Sequence, residues 1–150
     1  MKSTICKIAI SVILSCFILF PLSAKQLFVS PEGDDSADGS SSGNAFKTMS
    51  KAVDAAEEGD EIVLLGIIDI SQEPADKIYN SDAYNKNNQG VKILDKGLTI
   101  SGDPNQTRTK TGFTGNKTTT CLRLDGLNKK VTIRNLSIKE GNPTSDKGAG

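Results

Sequence analysis

Twelve residues with the sequence KVTIRNLSIKEG, from Lys130 to Gly141, constrain the fold more than any other stretch of this chain. They contain two runs, 131–134 and 136–139, in which apolar and polar residues alternate on either side of Asn135. Alternation of this kind places the apolar side chains on one face of a strand. Asn tolerates the left-handed backbone conformation, so Asn135 can turn the chain and restart the alternation. The stretch therefore predicts two short strands joined by a sharp bend, with their apolar faces directed into one interior.

The same design occurs earlier in the chain. Val91 and Ile93 precede Gly97, and Leu98 and Ile100 follow it. Similar runs flank Gly66 and Gly126, so the pattern predicts successive coils of a solenoid that share an apolar interior. The residues expected to face that interior are Leu64, Ile93, Leu98, Ile100, Leu122, Leu124, Val131, Ile133, Leu136 and Ile138.

The first 24 residues are typical of a secretory signal peptide. Two lysines precede an almost unbroken apolar run at residues 8–20, and the small residue Ala24 ends the stretch. This run is shorter than the ~20 residues that a transmembrane helix needs, and no later stretch is apolar enough to span a membrane. We therefore expect a signal peptide at 1–24, a mature chain that begins at Lys25 without a transmembrane helix, and a protein that is secreted or held at the cell surface or outer membrane.

A second interpretation of the N-terminus stays open. Residues 13–16, Ile-Leu-Ser-Cys, loosely resemble the cleavage box of a bacterial lipoprotein. Cleavage there would make Cys16 a lipid anchor, although the apolar run continues beyond it through Phe20.

Composition excludes several classes of function. After residue 24 the chain has 16 basic and 18 acidic side chains, a balance that gives no support to nucleic-acid binding. It contains no His, which excludes a His-based catalytic triad or a His-ligated metal. Cys121 is the only cysteine after the predicted signal peptide, so no internal disulfide is expected. It is either a small buried hydrophobic residue or a thiol that is reactive or pairs with another molecule.

Residues 25–59 form a separate N-terminal unit. Leu27–Val29 is predicted to be a strand, and residues 33–43 an acidic, glycine-rich loop. A helix is predicted from Thr48 to Glu58, with Thr48 as N-cap and Gly59 at the C′ position. Its apolar stripe is expected to cover the exposed end of the coils. The residues of this stripe are Met49, Ala52, Val53 and Ala56.

Residues 60–150 are assigned to the coils. Two polar segments, 71–89 and 104–120, lack sustained periodicity and are interpreted as excursions from the coils. The glycine-rich ending at 148–150 looks like the entrance to another coil, so we expect the coil region to be truncated at its C-terminus.

The N-terminal motifs resemble those of a known group of proteins. Residues 27–35 (LFVSPEGDD), 38–40 (DGS), 46–56 (FKTMSKAVDAA) and 59–62 (GDEI) are similar, in this order, to the entry of right-handed parallel β-helix, or pectate-lyase-like, proteins of bacterial surfaces. This resemblance implies an all-β fold, a right-handed parallel β-helix with a short amphipathic capping helix at its N-terminus. Residues 148–150 (GAG) are also similar to the start of the repeat of polymorphic outer-membrane proteins.

One candidate metal site stands out in the acidic loop. Asp34, Asp35 and Asp38 lie within five positions, beside two glycines, and carboxylate oxygens are suitable ligands for Ca²⁺. The spacing does not match an EF-hand loop, and a solvated turn stabilised by Asp side chains is the alternative. No other cofactor is expected.

No catalytic constellation can be assembled from the sequence. Arg123 and Asp125 are expected to point outward from the third coil, with Arg134 nearby, but no acid–base pair is apparent. The leading hypothesis is therefore an exported structural or adhesin-like display module, such as part of an autotransporter passenger, whose partner is a host surface or a polysaccharide. The alternative is a polysaccharide lyase or glycoside hydrolase whose active site lies outside this stretch of chain.

Overall fold

The computed structural model describes residues 24–74, 77, 90–94, 96–125 and 128–141. The predicted signal sequence up to residue 23, including Cys16, lies outside the described residues, as does the glycine-rich ending at 148–150. Within the described part, no helix is long and apolar enough to cross a membrane.

The described residues form nine short strands and one α-helix. The strands are β1 (Gln26–Val29), β2 (Glu61–Leu64), β3 (Ile67–Asp69), β4 (Val91–Leu94), β5 (Thr99–Gly102), β6 (Gly112–Thr114), β7 (Leu122–Asp125), β8 (Thr132–Arg134) and β9 (Ser137–Lys139). The helix α1 spans Met49–Ala55, and single 3-10 turns occur at Ser42–Asn44 and Ile70–Gln72. Sheet A has the strand order β1-β2-β5-β8, sheet B the order β3-β6-β9, and sheet C pairs β4 with β7. Every one of these pairings is parallel.

The expected all-β, right-handed parallel β-helix is wrong for this chain. The architecture is mixed α/β, with small separate parallel sheets and a helix rather than a continuous solenoid. The sheets contain four, three and two strands, so successive passes of the chain are not equivalent coils. The alternation of apolar residues specifies which face of a strand is buried, but it does not require every pass to add a strand to every sheet. Helix α1 packs against β1 and β4, and all four residues of its predicted apolar stripe are buried in the core.

The core consists of aliphatic columns that run across the sheets. In sheet A the parallel register places Leu27, Ile62, Ile100 and Ile133 side by side. The first three are at most 3% exposed, whereas Ile133, on the last strand, is 39% exposed. The column is therefore buried up to its last strand, and its first residue, Leu27, lies on a strand that helix α1 contacts.

The ten residues predicted to face the interior also differ in burial according to the strand on which they lie. Leu64, Ile93, Leu98 and Ile100 are buried; Leu122, Val131 and Leu136 are half-buried against the core; Leu124, Ile133 and Ile138 are exposed. The exposed members all lie on β7, β8 or β9, the last strand of each sheet.

Helix α1 is shorter than predicted. Its N-cap is Thr48, as expected, and the Thr48 Oγ1 accepts a hydrogen bond from the Lys51 N–H. The helix ends at Ala55 rather than Glu58, and Gly59 lies in the turn before β2 with φ 89° instead of at the C′ position. The end of the helix is stabilised instead by Lys96, whose Nζ donates to the carbonyls of Val53 (2.8 Å) and Ala56 (2.9 Å). That contact depends on tertiary structure and could not be predicted from local sequence.

The two predicted bends, at Asn135 and Gly97, differ in backbone conformation and in the contacts that their residues make. Asn135 has φ 52°, which confirms the left-handed conformation, and its Nδ2 donates to the Gly102 carbonyl at 3.3 Å. Gly97 is not in the positive-φ region; it accommodates the Glu58 carboxylate, which would collide with a Cβ at this position. The approaching carboxylate is the end of a flexible side chain, so this contact favours glycine at position 97 without requiring it.

The predicted excursion at 104–120 contains an unexpected strand. Strand β6 pairs with β3 and β9, and its central residue Phe113 is fully buried. A single apolar residue among Thr and Gly gives no periodic signal in the sequence. Strand β6 becomes apparent only in the structure, where Phe113 is paired with Ile68 of the neighbouring strand β3.

Replacing Val53 with Asp is expected to lower the free energy of unfolding by several kcal/mol. Val53 is 6% exposed within the core cluster, and an unpaired carboxylate there would lose its hydration. The control is Lys51→Asp on the exposed side of the same helix, which should change stability by no more than about 0.5 kcal/mol. Thermal and urea unfolding of both variants measure the difference. An equal loss in the two variants would show that the helix does not depend on its packing against the core.

Candidate functional site

The outer face of sheet A is the most organised polar surface in the described residues. Because Leu27 and Ile62 point inward, their neighbours along β1 and β2 point outward. The parallel register then places Gln26 of β1, Glu61 of β2 and Thr99 of β5 in one outward row. Strands from different parts of the sequence thus bring their polar side chains together.

Glu61 is the centre of this surface. Its Oε2 accepts a hydrogen bond from Gln26 Nε2 at 3.0 Å. Its Oε1 accepts from Ser101 Oγ at 2.7 Å and from an Arg134 guanidinium nitrogen at 2.6 Å. One carboxylate therefore connects all four strands of the sheet.

The ion pair with Arg134 reaches across the sheet. Arg134 is on β8 and Glu61 is on β2, two strand positions and thus about 10 Å of backbone spacing apart. Ser101, on the intervening strand, is paired with Arg134 in the register and is only 4% exposed. The long Arg side chain lies over the sheet while its charge stays on the surface, where it is 60% exposed.

Opposing effects determine the ionisation of Glu61. Burial raises the pKa of this carboxyl, but hydrogen bonds from Ser101, Gln26 and Arg134, together with the Arg134 charge, outweigh it and hold the pKa below its ordinary value. Glu61 is therefore an anion at neutral pH.

An open groove of about 920 Å³ lies beside Glu61. Its lining includes Phe28, a half-buried aromatic residue on β1, and the serines at 40–42. Lys25 and Asp38 provide charges of opposite sign. The groove therefore combines an aromatic surface with hydroxyl, amide and carboxylate groups.

The three aspartates proposed to bind Ca²⁺ make separate contacts. Asp34 accepts from the Ser36 N–H and Asp38 from the Ser40 N–H, each forming a local turn, and these bonds lower the pKa of both carboxyls. Asp35 accepts from residues 47 and 48, at the start of the helix. Among the described residues there is no group of three or more acidic or cysteine side chains placed to hold a metal ion. The Ca²⁺ site stays a prediction without support from this geometry.

Glu73 is a buried acid that the sequence did not single out. Its carboxylate is 6% exposed and accepts hydrogen bonds from the Met49 and Ser50 N–H groups and from the Ser50 hydroxyl. Burial raises its pKa more than these bonds lower it. Glu73 anchors the first turn of α1 from 23 to 24 residues away, so no local pattern could have identified it. All of these donors belong to helix α1, so the contacts of Glu73 hold the helix in place.

The remaining candidates lie in different parts of the fold. Arg123 lies on β7 in sheet C, and Arg134 lies on β8 in sheet A, where it pairs with Glu61. The Asp125 side chain lies outside the described part of the structure. Cys121 is buried, and burial raises the pKa of its thiol, which is the environment of an inert cysteine.

Comparison with known proteins yields no relative. No protein-family model, curated protein or solved structure matches this chain. The resemblance to bacterial pectate-lyase-like and polymorphic outer-membrane proteins therefore gains no support from these comparisons.

Replacing Glu61 with Gln is expected to lower the free energy of unfolding by about 1 kcal/mol at pH 7. The loss is modest because charge-assisted bonds become neutral ones at a surface where Arg134 is largely hydrated. Since the folded-state pKa lies below its ordinary value of 4.5, the contribution of the carboxylate is present above that pH and is lost as the pH falls through the folded-state pKa. Urea unfolding from pH 7 to pH 3 should show the difference between wild type and variant shrinking.

Glu57→Gln provides the matched control. Glu57 is 68% exposed and 4.0 Å from Lys25, so this change should alter stability by less than about 0.5 kcal/mol throughout. A pH-independent difference for Glu61→Gln would contradict the assignment of Glu61 as a stabilising anion.

Proposed function

We propose that this chain is an exported structural module that displays an adhesin-like binding surface on the cell surface or after secretion. Its ligand is a polysaccharide or another glycan-bearing host surface, and its binding surface is the outer face of sheet A with the adjoining groove. The observation that carries the proposal is the Glu61 cluster, which fixes polar side chains from four strands beside a half-buried aromatic ring.

The groove has the chemistry that sugars require. Phe28 offers an apolar ring face, while Gln26 and the neighbouring serines offer donors and acceptors for hydroxyl groups. Gln26 is already held by Glu61 at 3.0 Å. Side chains fixed before binding lose less conformational entropy when a ligand arrives.

The ionisation of the two acidic residues that line the groove favours ligand binding over glycoside hydrolysis. A general acid needs a carboxyl whose pKa is raised, so that it carries a proton near neutral pH. The pKa values of Glu61 and Asp38 are instead lowered, Glu61 by its three donors and Asp38 by Ser40. Both acids lining the groove are therefore suited to accept hydrogen bonds from a ligand.

Export is tested by the N-terminus of the protein made in bacterial cells. We expect protein outside the inner membrane that begins at Lys25, because two lysines, an apolar run and Ala24 precede this residue. Cell fractionation and N-terminal sequencing measure both properties. Intact Met1 on cytoplasmic protein would contradict export, whereas a lipidated Cys16 would identify the lipoprotein alternative and replace the cleavage site proposed here.

Binding is tested with immobilised neutral and acidic polysaccharides and host-cell glycoproteins. At least one should bind the purified mature chain, and Phe28→Ala should weaken that binding at least tenfold, since the aromatic ring that lines the groove is removed. Gln26→Ala should also weaken binding, whereas Gln72→Ala, the same change at an exposed residue that does not line the groove, should not. Binding that is unaffected by Phe28→Ala would exclude this groove as the site. Release of shortened sugars during the assay would favour the lyase or hydrolase alternative.

A further inference from the structure

The predicted cleavage point of the signal peptide lies beside a buried carboxylate. Ala24 and Lys25, the residues on either side of that point, are both exposed, and β1 begins at the next residue. The backbone nitrogen of Lys25 donates a hydrogen bond to Oδ1 of Asp60 at 3.0 Å. Asp60, directly before β2, is only 3% exposed. Cleavage after Ala24 therefore changes the chemistry of a donor that already contacts a buried acid.

Strand pairing fixes the position of this nitrogen. Gln26 is paired with Glu61 in the parallel register of β1 and β2, and the Lys25 carbonyl accepts from the Glu61 N–H at 3.0 Å. Lys25 is thus held through its nitrogen by Asp60 and through its carbonyl by the next residue. Because the backbone is already ordered here, an amino group created at this point loses little conformational entropy by staying beside Asp60.

The Asp60 carboxylate has neutral donors in contact with it and a cation farther away. Its two hydrogen bonds come from the backbone N–H groups of Lys25 and Glu57, at 3.0 and 2.8 Å. The side-chain Nζ of Lys25 is 3.7 Å from Oδ2, which is beyond hydrogen-bond distance, and that side chain is 47% exposed. A cation in direct contact would offset the lost hydration of this carboxylate more fully than a neutral amide does.

Hydrolysis of the bond between Ala24 and Lys25 supplies such a cation. Water adds to the Ala24 carbonyl carbon and the C–N bond breaks, which leaves a carboxylate on Ala24 and an amine on Lys25; the amine takes up the released proton. A free α-amine has an ordinary pKa of about 7.7–8.0, so at neutral pH it is mostly an ammonium group. Its nitrogen can still donate to Asp60, now with a positive charge.

We propose that removal of the signal peptide creates an ion pair between the new α-ammonium group of Lys25 and the buried Asp60 carboxylate, which makes the mature chain more stable than its precursor. The inference rests on the export and cleavage described under the proposed function and adds a maturation step that acts on folding. Strand β1 also supplies Gln26 and Phe28 to the groove, so the ion pair holds the strand that a ligand would contact.

The other charged groups near the ion pair have contacts of their own. Glu57 is 68% exposed, and its carboxylate is 4.0 Å from Lys25 Nζ. That Nζ also donates to the Ala55 carbonyl at 3.3 Å. The Glu61 carboxylate is held by its donors on β1, β5 and β8. Among the described residues, Asp60 is therefore the acid that contacts the Lys25 backbone nitrogen.

Two chains that differ by one residue test the proposal. One is the full mature chain that begins at Lys25, and the other begins at Ala24, so that the Lys25 nitrogen stays in an amide and the terminal charge moves to an exposed residue. Both are released from a fusion partner by a protease that leaves no added residue. In urea unfolding at pH 7, the folding equilibrium constant should be about fivefold or more larger for the chain that begins at Lys25. This comparison needs no substitution, so it does not depend on the folding of a variant.

The pH dependence identifies the charge that is responsible. Pairing with a carboxylate raises the pKa of the α-amine in the folded chain above its value in the unfolded chain. The added stability is therefore complete below the unfolded-state pKa of about 7.7–8.0 and is lost as the pH rises through the folded-state pKa. The difference between the two chains should shrink to less than about twofold at pH 10.

A substitution locates the partner. Asp60→Asn keeps the size of the side chain and removes its charge, so in this background the two chains should agree within about twofold. Glu57→Gln is the matched control, because it removes a carboxylate that lies near the same lysine and is largely exposed. In the Glu57→Gln background the difference between the two chains should persist.

Three results would overturn the inference and leave export and the groove untouched: equal stability of the two wild-type chains at pH 7, a difference that persists at pH 10, or a difference that Asp60→Asn does not reduce. Exported protein that begins at a residue other than Lys25 would overturn the inference together with the cleavage site of the proposed function. N-terminal sequencing thus separates failure of the processing step from failure of the ion pair.

Discussion

Side-by-side stacking of aliphatic residues in parallel register is the interaction on which the rest of the structure depends. Burying such a side chain stabilises the fold by about 1.5–3 kcal/mol, and in this protein that gain requires that each strand be covered by another strand or by the helix. Ile62 and Ile100 lie between two strands and are fully buried. Leu27, on the edge strand β1 that helix α1 contacts, is 3% exposed, whereas Ile133 on the last strand β8 is 39% exposed.

Buried carboxylates connect the helix and loops to these columns. Asp60, 3% exposed, accepts from the backbone N–H groups of Lys25 (3.0 Å) and Glu57 (2.8 Å), linking β1 to the turn before β2. Glu73 does the same for the first turn of α1, and Asp35 for the residues just before it. Each of these acids offsets the cost of its burial with several hydrogen bonds. Of the three aspartates that suggested a metal site in the sequence, Asp35 therefore connects segments, whereas Asp34 and Asp38 form local turns.

The outer face of sheet A uses the same chemistry at the surface. Glu61 is held by donors from three other strands, so its position depends on the whole sheet rather than on β2 alone. A ligand in the adjacent groove meets groups whose orientation is already fixed, and for that reason this face supports the proposed binding function.

The sequence by itself determined the local features of this protein, and tertiary structure decided the rest. Strand β1, the Thr48 N-cap, the left-handed Asn135 and the burial of Leu98 and Ile100 follow from residue types and alternation within a few positions. The division into sheets of unequal size, strand β6 around Phe113, the helix end set by Lys96, and the Glu61 and Glu73 clusters do not, because their partners are distant in sequence. Alternation specifies the inward face of a strand, but the neighbour that covers it is chosen only when the whole chain has packed.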